Sequence, residues 1–132
     1  SIPWVVACAI VDGKVGIGHF SPKGLQRSDI LAFATRIDTV QDDSLVNPRG
    51  GPGPVIIEVK TRDGGLRTQY VAAAKGDPEA PMSAAETDSK FADCMTYAGM
   101  TKGAGQALRL LLQSIDSLPN VSAITRAMAM KV

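Results

Sequence analysis

The chain is poor in the side chains that most often carry chemistry: among 132 residues it holds one histidine, two cysteines, one tryptophan, two tyrosines and three phenylalanines. Each scarcity closes a class of function. Cys8 and Cys94 are too few for a disulfide framework in a chain of this size, and with His19 they show no C-x-x-C or H-E-x-x-H spacing, so no zinc site is implied. Both cysteines sit in apolar helical patterns, where a free thiol packs as a small hydrophobe, and a reducing, cytoplasmic setting is expected. An excess of one charge is also missing. Fourteen basic and thirteen acidic side chains leave a net charge of +1, with no basic stripe or interleaved aromatics, which argues against nucleic acid as a partner. The longest apolar run, Ile2 to Val11, is far short of the roughly 20 residues that span a bilayer. No basic residues precede it as they would in a signal peptide, so no membrane partner is expected.

Recognisable catalytic signatures are absent as well. Gly13 to Gly18 contains neither the G-x-x-x-x-G-K phosphate loop nor a G-x-G-x-x-G turn after a strand, so no cofactor is implied. Ser1, Ser21 and Ser83 lack the G-x-S-x-G context of a nucleophile elbow. His19 lies in a glycine-rich loop beside Phe20, with no second histidine or paired carboxylate evident around it; a loop or packing role is expected in place of general base catalysis. On these grounds no catalytic residue is assigned. Trp4 is the one candidate binding residue: at the start of a buried helix it reads first as a core anchor, and in a functional reading as a pocket wall.

The remaining pattern is that of one α+β domain over residues 1–132, with several helices flanking a small antiparallel sheet of two to three strands. Pro3 suits a first helical turn and Asp12-Gly13 a stop, so Trp4 to Val11 reads as a helix apolar nearly all round. Gly13 to Gly24 reads as a loop. Ser28-Asp29 is expected to cap a second helix with the stripe Ile30, Phe33, Ala34 and Ile37. Thr39-Val40 suggests a short edge strand, followed by a Pro- and Gly-rich loop to Pro54. Val55 to Arg62 and Leu66 to Ala74 form a hairpin around Asp63-Gly64-Gly65. Ser83 and Glu86 form a capping box before a helix carrying Phe91, Cys94, Met95 and Ala98 that ends near Gly99. Gly103 to Leu118 carries Leu108, Leu111, Leu112, Ile115 and Leu118 in helical register up to Pro119. A last short helix has Val121, Ile124 and Met128 on one face. An apolar helix starting within three residues of Ser1 suggests a domain cut from a longer polypeptide.

Two separated stretches resemble the MmgE/PrpD family, the 2-methylcitrate dehydratase-like enzymes that also include cis-aconitate decarboxylase and iminodisuccinate epimerase. The first is Ser1-Ile2-Pro3-Trp4-Val5-Val6-Ala7-Cys8-Ala9-Ile10-Val11-Asp12-Gly13, similar to the family's serine-apolar-x-aromatic-x-x-alanine helix. The second is Lys75-Gly76-Asp77-Pro78 continuing through Pro81-Met82-Ser83 to Glu86 and Lys90-Phe91. Between them Lys60-Thr61-Arg62-Asp63-Gly64 matches the family's K-T-x-D-G strand end. The aromatic position is Trp4 where the family usually has tyrosine, and Thr87 stands where leucine is frequent. The resemblance covers the family's smaller, C-terminal α+β domain, a lid over a large helical domain. It implies proton abstraction next to a carboxylate of a small di- or tricarboxylate, with the catalytic groups upstream of Ser1. The implied partners are the carboxylate substrate and the upstream helical domain, and a homo-oligomer, in the simplest case a dimer, is expected. The isolated chain is then expected to be inactive. The competing expectation is a stand-alone binding or oligomerisation module that pairs through its apolar helices.

Overall fold

Among the described residues apolar periodicity condenses into five helices and one hairpin, an α+β architecture. The structure is a computed structural model and describes residues 1–48 and 50–129. In chain order the elements are α1 (Ile2–Asp12), α2 (Ser28–Ala34), β1 (Val55–Lys60), β2 (Leu66–Val71), α3 (Ala84–Tyr97), α4 (Lys102–Gln113) and α5 (Ser122–Ala129). Single turns of 3-10 helix lie at Ile17–Phe20, Gly24–Gln26 and Ile115–Ser117. The chain divides into two compact units, Ser1–Asp38 with Glu86–Val132, and Thr39–Ala85.

In the first unit Pro3 occupies the opening turn of α1, where its missing N–H is not needed. Gly13 ends the helix in the left-handed region at φ 69°, a conformation that favours glycine. Trp4, Ala7 and Cys8 of α1 pack on Ile30 of α2, with Phe33, Ala34 and Ile37 partly buried around them, which is the stripe read from the sequence. The cap differs from expectation: Ser28 is already helical and Arg27 holds the N-cap position without a side-chain bond. The segment expected as loop, Gly13 to Gly24, contains the tight turn Ile17–Phe20.

A second cluster joins Leu108 of α4 to Ile124 and Ala127 of α5, with Phe91, Met95, Met100, Leu111 and Leu118 packed on it. A Cβ on Gly105 would sit 3.4 Å from the Cβ of Met95, so this glycine lets α3 and α4 approach. The Thr101 hydroxyl accepts from the Ala104 amide and caps α4. α4 stops five residues before Leu118, where the Ser114 amide and hydroxyl both donate to the carbonyls of Leu110 and Leu111 and a turn of 3-10 helix, Ile115–Ser117, follows. Leu112, on the outer side of α4, and Ile115, beyond its end, are exposed, not core. α5 buries Ile124 and Ala127, while Val121 and Met128 of the expected face are exposed. α3 begins at Ala84, which sets Ser83 immediately before it and Glu86 in its first turn, and Gly99 follows its end at φ 77°.

The second unit is built on the hairpin. β1 and β2 pair antiparallel from Val55↔Val71 to Lys60↔Leu66. The Gly64 amide donates to Thr61 O, the Thr61 amide donates to Gly65 O at 2.8 Å, and Gly64 takes φ 85°. This is a type I turn with a glycine bulge, the chemistry that Asp63-Gly64-Gly65 encodes. The expected third strand at Thr39-Val40 does not form. Asp42 accepts from both the amide and the hydroxyl of Ser44 and turns the chain there, and Val40 is 89% exposed.

Candidate functional site

The densest polar constellation lies where α1, the turn Ile17–Phe20 and α2 converge, and its centre is His19. A carboxylate at the C-terminal end of a helix faces the negative pole of the helix dipole and needs compensation. Asp12, the last residue of α1, obtains it from two sides. The Arg27 guanidinium grips both its oxygens, at 2.7 and 3.0 Å, and His19 Nε2 lies 2.8 Å from Oδ2. Arg27 Nε also donates to Asp29 Oδ1 at 3.0 Å, so one guanidinium bridges two carboxylates. These bonds, Arg27 first and His19 second, hold the Asp12 carboxyl at about 2 against an ordinary 3.8. Arg27 likewise holds Asp29 below its usual range, and the two carboxylates push the guanidinium further from deprotonation.

Both ring nitrogens of His19 are engaged. With the proton on Nε2 donated to Asp12, Nδ1 accepts from the Gly16 amide at 3.0 Å. The imidazole thus closes its own turn, as a glutamate does in a capping box. The ring is 8% exposed. Neighbouring backbone is tight: a Cβ on Gly24 would lie 2.2 Å from Gly18 O and 2.9 Å from His19 O. From α3, Asp93 Oδ2 accepts the Ile17 amide at 2.9 Å and anchors the start of the turn. An open groove of about 590 Å³ runs over this region, lined by Ser21, Lys23, Gly24, Gln26, Arg27 and Asp29 among others. A smaller cavity of about 260 Å³ lies between α3 and α4, where Asp88 and Arg109 form an ion pair beside Phe91.

Chemically, the arrangement is a clamp. With Nε2–H on Asp12 and Nδ1 on the Gly16 amide, the ring ties the end of α1 to its own turn. The sequence shows no paired carboxylate around His19, yet Asp12 reaches it from seven residues upstream because the turn after Gly13 folds the chain back. Arg27 and Asp93 were also missed. A helix-ending acid followed by a short glycine-rich turn with its own histidine was the available signal.

Trp4 lies in the α1–α2 cluster at 6% exposure, and its indole Nε1 is buried with no hydrogen-bond partner among the described residues. Cys8 and Cys94 are free thiols, and burial pushes that of Cys8 up. Among the described residues no group of three or more metal-ligating side chains occurs, and no helix is long and apolar enough to cross a membrane.

The family model described as the MmgE/PrpD C-terminal domain matches residues 1–114, a span that includes Trp4 and every member of the His19 network. A search of curated proteins finds no match to the chain.

Proposed function

The chain belongs to the MmgE/PrpD family through its C-terminal domain, and from that membership we propose that it is the lid of a lyase or isomerase acting on small di- or tricarboxylates. The lid closes over an upstream helical domain, excludes water from the site and contributes no base of its own. The observation that carries this reading is the occupation of both nitrogens of the single histidine, by the Asp12 carboxylate and the Gly16 amide. An upstream body as partner is supported by α1, which has Asp12 as its only charged residue and exposes Ile2, Val5 and Ile10 on the side away from Ile30. Trp4 is proposed as a wall of the closed pocket because its indole N–H still needs an acceptor. A cytoplasmic setting accords with the two free thiols.

The exposed face of α1 also favours a second reading, a stand-alone association module without catalytic activity. The intact mass of the natural gene product separates the two. The lid reading expects a polypeptide extended upstream of Ser1 by a helical domain; a product that begins at or near Ser1 removes it and leaves the module.

A further inference from the structure

His19 is buried, and the lid reading gives it no proton to move. Imidazole changes charge closer to neutral pH than any other side chain, so a buried ring must find partners in both its forms or give way in one. His19 meets that demand through a single residue. Its Nδ1 lies 3.0 Å from the Gly16 amide nitrogen and 3.1 Å from the Gly16 carbonyl oxygen. The neutral ring, with its proton on Nε2, accepts from the amide. A ring protonated at Nδ1 as well has no lone pair left to accept with, and the carbonyl is the acceptor in reach. Nε2 keeps its bond to Asp12 in both forms, because Arg27 and His19 hold that carboxyl at about 2 and it stays ionised.

We propose that His19 is a proton-operated latch: a proton gained at Nδ1 moves the ring from the amide of Gly16 to its carbonyl and frees that amide. The two groups belong to different peptide planes. The Gly16 carbonyl shares its plane with the Ile17 amide, which donates to Asp93 Oδ2 at 2.9 Å, and it also accepts the His19 amide at 3.1 Å. That plane is held on both edges and stays in place. The Val15–Gly16 plane is the one the ring lets go, so the link from α1 to the turn loosens while the tie of the turn to α3 remains. The charges around the ring come from each neighbouring element. Asp12 at the end of α1 favours the added proton, and Arg27, bonded to the same carboxylate, opposes it. Asp29 of α2 offsets Arg27 in part. Asp93 of α3 lies behind Gly16, its Oδ2 3.0 Å from where a Cβ would stand, and favours the proton as well. Lys14 and Lys23 are exposed charges of the flanking loops.

A nuclear magnetic resonance titration of the 132-residue chain, followed at the ring nitrogens and the backbone amides, tests this. The neutral ring is expected as the Nε2–H tautomer with Nδ1 bare. As the ring takes its second proton, the Gly16 amide shift is expected to move with the same midpoint. Hydrogen exchange at Gly16, taken relative to Ile17, is expected to rise by roughly two- to tenfold, the worth of one hydrogen bond. In His19→Gln this pH-linked step is expected to vanish from both readings. Should that variant unfold, the wild-type comparison of ring and amide decides alone. A Gly16 amide that titrates apart from the ring, or whose exchange relative to Ile17 is the same on either side of the ring's titration, overturns the proposal. So does a neutral ring that carries its proton on Nδ1.

Discussion

Replacing Ile30 by alanine tests the packing that brings the clamp together. Ile30 is fully buried between α1 and α2, while its neighbour Leu31 is 47% exposed on the other side of the same helix. Ile30→Ala removes three carbons worth about 0.8 kcal/mol each in transfer free energy. A residual cavity of roughly 50 Å³ adds about 1 kcal/mol at about 24 cal/mol per Å³. The expected loss is therefore about 3 to 4 kcal/mol, a large part of the roughly 5 to 15 kcal/mol that holds a domain together. In urea, at a slope of about 2 kcal/mol per molar, the midpoint should fall by about 1.5 to 2 M. Leu31→Ala should cost less than about 1 kcal/mol. Equal losses for the two variants, or a loss below about 1 kcal/mol for Ile30→Ala, would refute the assignment of the α2 face and with it the packing that sets Arg27 beside Asp12.

Four further expectations concern the same region and α4. The Asp12 carboxyl is depressed to about 2 in the folded chain from 3.8, so its contribution to stability is fully present above pH 3.8 and is lost as pH falls towards 2. Thermal melts of Asp12→Asn should therefore fall less steeply than wild type across that window, and parallel curves would contradict the clamp. Gly24→Ala would place a Cβ against Gly18 O and should destabilise by about 1 to 3 kcal/mol. By contrast Gly103→Ala in α4 meets nothing within 4 Å and should stabilise by about 0.5 to 1 kcal/mol. Differential scanning calorimetry of the two variants reads both signs. Thr101→Ala removes the α4 cap and should cost about 0.5 to 2 kcal/mol, measured in the same way.

Much of the fold was legible because it rests on periodicity and turn chemistry. The Ile30–Phe33–Ala34–Ile37 stripe, the Asp63-Gly64-Gly65 hairpin and the stop at Gly99 are local patterns, and the structure contains each of them. Where local signals competed, the reading went astray. Ser28 was a plausible cap, but Arg27 holds that position and spends its guanidinium on Asp12 and Asp29. The leucine register runs on to Leu118, but α4 ends at Gln113 and a 3-10 turn follows. Thr39-Val40 has strand propensity, and the Asp42–Ser44 turn overrides it. The polar site was least legible. Its members, Asp12, His19, Arg27 and Asp93, are separated by up to 81 positions: the backbone reversal after Gly13 brings His19 to Asp12, while Asp93 arrives from α3. The family resemblance was readable from short motifs spread along the chain, one of them the turn at Gly64.

The central claim is that this domain closes a site without supplying its base. Proton exchange and turnover with 2-methylcitrate-class carboxylates, measured in heavy water, address it most directly. The 132-residue chain alone should show neither, and the polypeptide joined to its upstream domain should show both, with His19→Gln changing the rate by no more than its effect on folding. Turnover by the 132-residue chain that disappears in His19→Gln would contradict the account.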